Sequence, residues 1–147
     1  MKKSIIVFLV GAVLGTAAGF ALGIFVYPFV FLSDIVAQER VDKQATGKPV
    51  ASGAFIHANP KDPFHYGKGR VTVYGSLLHL ENDFEVGPGP KFHVYLVPDQ
   101  SVIPSTNVPK TMFVDLGRLK AFKGSQNYSI PDGVDLARYS SVVIWCE

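Results

Sequence analysis

The chain has 147 residues, with 14 Lys and Arg, 12 Asp and Glu, and a formal net charge of +2. This length provides one domain and an additional segment, and the near balance of charge argues against nucleic-acid binding. The single cysteine excludes an intrachain disulfide framework and the cysteine-rich zinc motifs.

Residues 4–32 contain no charged side chain and are rich in Ile, Val, Leu, Phe, Ala and Gly. A membrane-spanning helix needs about 20 such residues, so this segment is predicted to be a transmembrane anchor. Because Lys2 and Lys3 precede it, residues 1–3 are expected in the cytoplasm and residues 33–147 outside the plasma (cell) membrane. A signal peptide cleaved near 35–37 is the competing interpretation, but the apolar segment exceeds the about 7–15 residues of a signal sequence.

Four glycines recur at every fourth position of this predicted helix. Such spacing places them on one helix face, where another backbone can approach closely. We expect this face to form a homo-oligomer or to contact a membrane partner, and ordinary glycine enrichment in membrane helices is the alternative. The four residues are Gly11, Gly15, Gly19 and Gly23.

Residues 33–51 are mostly polar and include a Gly and a Pro that stop any helix. We predict a linker that holds the following domain away from the bilayer. Residues 52–147 then form the domain, in which short β-prone segments alternate with Gly and Pro turns.

Two of these segments, 70–74 and 77–81, are separated by only two residues, which predicts a hairpin. Along 91–97, Phe92, Val94 and Leu96 alternate with His93 and Tyr95, so that each set occupies one face of a strand. Roughly seven short strands predict an all-β domain, an antiparallel β-sandwich or small barrel. The other predicted strands are 55–57, 113–116, 127–130 and 141–146.

Several motifs occur in order along this domain. They lie at 52–55, His65, 69–74, 80–84, Gly87-Pro88, 93–96, 117–120, 124–128, Ile130-Pro131 and 142–146. The series resembles the DM13 domain, a small extracytoplasmic β-domain. The resemblance implies an electron-transfer or redox module with a redox partner protein, and it assigns the redox role to Cys146 in its Ile-Trp-Cys context.

The chain departs from the DM13 pattern at two points. The family usually has an acidic residue after its Gly-Pro, whereas this chain continues Gly87-Pro88-Gly89-Pro90. An aspartate ligand or hydrogen bond at that position is therefore absent or supplied from elsewhere. The sequence also stops one residue after Cys146, where family members continue. The domain is thus expected to be a fragment or to lack its last strand, with Cys146 at a frayed end.

Strand alternation places Cys146 on the same face as Val142 and Ile144, which would make it a small buried hydrophobe. The alternative is a reactive thiol that forms mixed disulfides or binds a metal. A site built from Cys146 and His65 is compatible with haem, copper or iron, and the sequence does not select among them. His65 is preferred because it matches the family pattern.

The other histidines are His57, His79 and His93. His57 and His65 flank one turn and are placed to converge across it. His79 and His93 belong to different predicted strands and would meet if those strands shared a face. The alternative is that all are ordinary imidazoles on half-exposed strands.

Two hypotheses of function follow. The first is a membrane-anchored redox or electron-transfer module centred on Cys146. The second is a non-catalytic adhesion or assembly module at the cell surface, with a structural cysteine. Neither predicts an enzyme with its own substrate, because no nucleophile elbow, phosphate-binding loop or zinc-ligand spacing is found in the sequence.

Overall fold

A computed structural model describes residues 2–63 and 65–147 of the chain. Met1, the first residue of the predicted cytoplasmic N-terminus, lies outside them. The described chain begins with helix α1 (Lys2–Tyr27), which continues through a π-helical turn (Pro28–Leu32). None of the described α1 residues is buried against the rest of the protein. As the sequence predicts, this helix is long and apolar enough to cross a membrane.

The rest of the described chain consists mainly of short strands. These are β1 (Val36–Gln38), β2 (Ala51–Ala54), β3 (Gly67–Lys68), β4 (Arg70–Val73), β5 (Leu77–Leu80), β6 (Glu85–Val86), β7 (Phe92–Val97), β8 (Val114–Arg118), β9 (Lys123–Ser129) and β10 (Ser141–Cys146). One helical turn, α2 (Lys43–Thr46), and two 3-10 turns, Val108–Lys110 and Leu136–Arg138, complete the fold. The predicted hairpin is confirmed, since β4 and β5 pair antiparallel.

The strands form two sheets around one main core. The first sheet has the order β2-β4-β5-β9-β6-β3, and β1 also pairs with β9. The second sheet has the order β10-β7-β8. All pairings among the described strands are antiparallel except that of β1 with β9. The prediction of an all-β antiparallel sandwich preceded by one apolar helix is confirmed.

The main core is filled from alternate positions of strands in both sheets. Tyr95 and Val97 lie on the other face of β7, where they pack with Val108 in a second, smaller core. The predicted alternation along β7 is therefore confirmed, and apolar side chains cover the second sheet on both faces. The main-core residues of β5 and β7 are Leu78, Leu80, Phe92, Val94 and Leu96.

Strand β2 precedes the segment 55–57 that the sequence predicts to be a strand. Its small residues, Ala51–Ala54, pair with β4 at the edge of the first sheet. Phe55 instead packs against the main core, with its ring centroid 5.3 Å from that of Phe84. The predicted strand at 55–57 is therefore wrong, since the strand lies at Ala51–Ala54 and ends before Phe55.

The structure differs from the predicted linker at 33–51, because part of this segment joins the domain. Strand β1 pairs in parallel with the beginning of β9. Glu39 extends the attachment, with its carboxylate 2.8 Å from Nζ of Lys120 and accepting a 2.7 Å hydrogen bond from the backbone N–H of Asn127. Leu32, at the end of the π-helical turn, packs against the main core. The domain therefore begins within a few residues of the apolar helix.

Candidate functional site

Cys146 is the last residue of β10, and its side chain is exposed. It lies opposite Phe92 of β7 in the antiparallel ladder. Val142 and Ile144, which share its face of the strand, pack against the main core. Cys146 is the next residue on this face of the strand, but no apolar side chain of the main core covers it among the described residues. The structure therefore places the thiol at the surface and not in the core, and its reactivity stays a prediction.

The backbone around Cys146 is held in the sheet. The ladder between β10 and β7 continues to Cys146, and the N–H of Glu147 then donates a 3.1 Å hydrogen bond to the carbonyl of Lys91. The expected fraying at Cys146 is thus not observed. Strand β10 lies at an edge of its sheet, so the thiol occupies an exposed but well-positioned site.

A cavity of about 660 Å³ opens between the edge strands β2 and β10. Its volume falls within the range of about 300–1,000 Å³ that is common for small-molecule sites. His65 lies on its wall, as do the first four residues of β10, from Ser141 to Ile144. The apolar part of the lining includes Phe55, Val71, Val86, Phe92, Leu96 and Ile144.

His65 is itself exposed and is held by its own loop. Its Nδ1 lies 2.7 Å from Oδ2 of Asp62, and its backbone N–H donates a 3.1 Å hydrogen bond to the same carboxylate. These contacts fix the orientation of the imidazole on the cavity wall. No measured contact joins His65 to Cys146 among the described residues, and a metal or haem site made from these two side chains stays a prediction.

A second group of polar side chains lies on the outer face of the second sheet. Nδ1 of His93 lies 2.9 Å from Oδ2 of Asp115, and Nε2 of His93 lies 3.9 Å from Oε2 of Glu147. Glu147 also accepts a 2.6 Å hydrogen bond from the Tyr95 hydroxyl and lies 2.6 Å from Nζ of Lys91. Carboxylates, an imidazole, a phenol and an ammonium group thus meet at one end of the sheet.

This environment changes the acidity of two of these groups. The hydrogen bond with Lys91, followed by that from Tyr95, lowers the pKa of the Glu147 side chain to about 2. Burial, reinforced by the adjacent Glu147 carboxylate, raises the pKa of Tyr95 above its ordinary value. At neutral pH the carboxylate is therefore ionised and the phenol keeps its proton.

A family model described as electron transfer DM13 matches residues 61–147, which is more than half of the chain. The chain belongs to the DM13 family. The resemblance seen in the sequence is thus confirmed, and the family description names electron transfer as the role of the domain. Searches for similar curated proteins and for similar solved structures gave no match.

The DM13 match includes His65, His79, His93 and Cys146. His79 and His93 do not share a face, because β5 and β7 belong to different sheets. His79 is instead buried in the first sheet, with its Nδ1 2.6 Å from Oδ1 of Asn127. The convergence of His57 with His65 stays a prediction.

The sequence does not predict that Asp115 and Glu147 contact His93 in this DM13 domain. The alternation of β7 places His93 and Tyr95 on one face, and this is the only feature of the sequence that points to the polar group around His93. Asp115 approaches from β8, and Glu147 follows β10, so both contacts depend on the strand order of the second sheet. Only the register between the three strands brings the groups together.

Proposed function

We propose that this DM13 protein is a membrane-anchored electron-transfer module that exchanges electrons through the Cys146 thiol on the outer side of the membrane. The observation that supports the proposal best is the exposure of Cys146 at the end of an edge strand. A cysteine that serves only to fill a core is buried, as free cysteines often are. The exposed position makes the sulfur accessible to a partner protein.

The proposed reaction is thiol–disulfide exchange with a disulfide of a redox partner. The Cys146 thiol loses its proton to solvent, and the thiolate attacks one partner sulfur. A bond forms between Cys146 and that sulfur, while the partner's own sulfur–sulfur bond breaks. The second partner sulfur leaves as a thiolate and takes up a proton. Cys146 is oxidised to a mixed disulfide, and the partner's leaving sulfur is reduced.

Helix α1 supports the membrane location in this proposal. It presents apolar side chains on all sides, and Lys2 and Lys3 lie at its start. Positive charges on this side favour a cytoplasmic N-terminus and an extracytoplasmic domain. Disulfides persist outside the cytosol, so this side of the membrane is also where a disulfide-bearing partner would be found.

Labelling of intact cells tests both the thiol and its location. A membrane-impermeant maleimide should label Cys146 without permeabilisation, and prior treatment with a reductant should increase the labelled fraction. Non-reducing gels should show a higher-mass species that disappears on reduction. Cys146→Ser should remove both signals. Labelling that requires denaturation of the protein would overturn the exposed redox thiol.

A second variant gives a matched control for orientation. In the Cys146→Ser chain, Lys3→Cys places one thiol at the other end of the apolar helix. This thiol should react only after permeabilisation. Labelling of Lys3→Cys in intact cells, or of Cys146 only in permeabilised cells, would contradict the proposed orientation.

We also propose that the glycine face of α1 holds copies of the chain together in the bilayer, as the assembly hypothesis requires. Apart from the adjoining backbone of the helix itself, no heavy atom of the described residues lies within 4 Å of a Cβ placed at Gly11, Gly15, Gly19 or Gly23. The face is therefore open to a second helix backbone.

The combined change Gly15→Ile and Gly19→Ile should remove cross-linked dimers in membranes. The control change Ala17→Ile and Ala21→Ile adds similar bulk to the opposite face and should preserve them. Equal cross-linking in both variants would count against this interface.

A further inference from the structure

The outer face of the second sheet carries three side chains with metal-binding groups, here called the His93 cluster: His93, Asp115 and Glu147. One ligand atom from each lies within 4.8 Å of the other two. Nitrogen and oxygen ligands bind a transition-metal ion at about 2.0–2.2 Å, so two ligands of one ion lie within about 4.4 Å of each other. The three groups are therefore close to the spacing that a single ion requires.

Hydrogen bonding within the protein leaves His93 incompletely satisfied. Its side chain is only 13% exposed, and Asp115 occupies the Nδ1 side of the ring. Nε2 is buried and has no hydrogen-bond partner among the described residues. A buried polar atom without a partner is costly, and an ion or water that binds it is one explanation for such an atom. Because Nε2 faces Glu147 at 3.9 Å, an ion between the two would satisfy the nitrogen and the carboxylate together.

The charge of the cluster favours a cation. With a neutral imidazole, the Asp115 and Glu147 carboxylates carry two negative charges, and Lys91 supplies one positive charge at 2.6 Å from Glu147. The Lys91 side chain is 54% exposed, so solvent screens this ion pair and the long side chain can move away. A divalent ion bound directly to both carboxylates would neutralise more charge than the single ammonium group does.

We propose that His93, Asp115 and Glu147 bind one divalent first-row transition-metal ion, with one imidazole nitrogen and two carboxylates as protein ligands. The imidazole favours such an ion over Mg²⁺ and Ca²⁺, which prefer ligands made entirely of oxygen. Among the divalent ions of this row, Cu²⁺ binds mixed nitrogen and oxygen sites most tightly, and Zn²⁺ follows behind it. The site does not use Cys146, so it is independent of the thiol function proposed above.

The position of Trp145 provides a direct readout. Trp145 is the only tryptophan of the chain, and it lies directly opposite His93 in the ladder between β10 and β7. Side chains of directly opposed residues lie on the same face of a sheet, about 4.5–5.5 Å apart at Cβ. Cu²⁺ bound at the His93 cluster should therefore quench the fluorescence of Trp145.

The experiment uses the full-length Cys146→Ser chain in detergent, so that copper cannot react with the thiol. Titration with Cu²⁺ should give a saturable decrease in fluorescence with a stoichiometry of one ion per chain. Zn²⁺, which does not quench, should compete with Cu²⁺ and restore the signal. Millimolar Mg²⁺ should not compete. Quenching that does not saturate, or that Mg²⁺ reverses as well as Zn²⁺, would overturn the assignment.

Substitutions in the cluster test the ligands one at a time. His93→Gln keeps a polar side chain of similar length and should weaken Cu²⁺ binding at least 10-fold. Asp115→Asn and Glu147→Gln should each weaken it as well. Asp132→Asn is the matched control for the carboxylate changes, because Asp132 is an exposed aspartate outside the cluster, and it should leave binding unchanged. Equal Cu²⁺ affinity in His93→Gln and Asp132→Asn would refute the site.

A thermal measurement guards against misfolded variants. Zn²⁺ that binds only the native state should raise the Tm of the Cys146→Ser chain. The same addition should leave the Tm of a cooperatively unfolding His93→Gln chain unchanged. If His93→Gln does not unfold cooperatively, Asp115→Asn serves in its place, because its exposed side chain lies outside the core. A Zn²⁺-induced rise in Tm that persists unchanged in the folded variant would contradict the proposal.

Discussion

Replacing Gln126 with Met should lower the free energy of unfolding by about 3–5 kcal/mol, because the buried amide satisfies four polar groups at once. Gln126 is completely buried. Its Oε1 accepts hydrogen bonds from the N–H groups of Lys120 and Ala121 and from the Tyr128 hydroxyl, at 2.8–3.1 Å. Its Nε2 donates to the Ala121 carbonyl at 2.8 Å.

The thioether of Met fills a similar volume but cannot replace these bonds, and each unpaired buried group costs about 1–3 kcal/mol. Urea unfolding of the detergent-solubilised chain, followed by Trp145 fluorescence, measures the change. Gln100→Met is the matched control, because Gln100 is exposed and the same substitution there should have little effect. A Gln126→Met chain as stable as the Gln100→Met chain would show that the amide network does not stabilise the fold.

Replacing Gly124 with Ala should release β1 from the first sheet and make the segment between helix and domain sensitive to protease. Gly124 has a φ of +87°, and a Cβ atom there would overlap the carbonyl oxygen of Ala37 and approach Cγ1 of Val36 to 2.8 Å. Both contacts belong to β1, which pairs with β9 at this position. The clash therefore acts on the strand that fixes the domain next to the helix.

Limited trypsin digestion of membranes measures this release. Cleavage after Arg40, just beyond β1, should accelerate at least 10-fold in Gly124→Ala. Gly133→Ala is a close control, because Gly133 has a similar φ of +83° but no atom within 4 Å of the added Cβ. Accelerated cleavage throughout the domain would indicate general unfolding, and equal cleavage after Arg40 in the two variants would contradict the role of Gly124.

The sequence predicts those strands whose own side chains alternate between two environments. In β7, Phe92 and Val94 enter the main core while Tyr95 enters the second core, so periodicity alone identifies the strand. Strand β1 carries no such signal, since its three residues form a strand only by pairing with β9, far along the chain. Its existence depends on tertiary contacts that local propensity does not encode.

The candidate sites likewise combine features that the local sequence predicts with features that depend on tertiary contacts. Alternation assigns Cys146 to the core-facing side of β10, but its exposure depends on where the apolar covering ends, which is a property of the whole sandwich. The contact between His93 and Asp115 joins residues 22 positions apart. Such a contact follows from strand register, and the register of β8 on β7 includes a shift near His93 that no sequence pattern indicates.

The short connection between α1 and the domain has a mechanical consequence. The 31 residues of Lys2–Leu32 would form a helix about 46 Å long, so a helix crossing a hydrocarbon core of about 30 Å must tilt or project beyond it. Because Leu32 packs on the core and β1 begins at Val36, only residues 33–35 separate the helix from the first strand of the domain. A connection this short would limit how far the domain can turn away from the helix, so bilayer thickness, by setting the tilt of the helix, would also restrict the orientation and height of the domain.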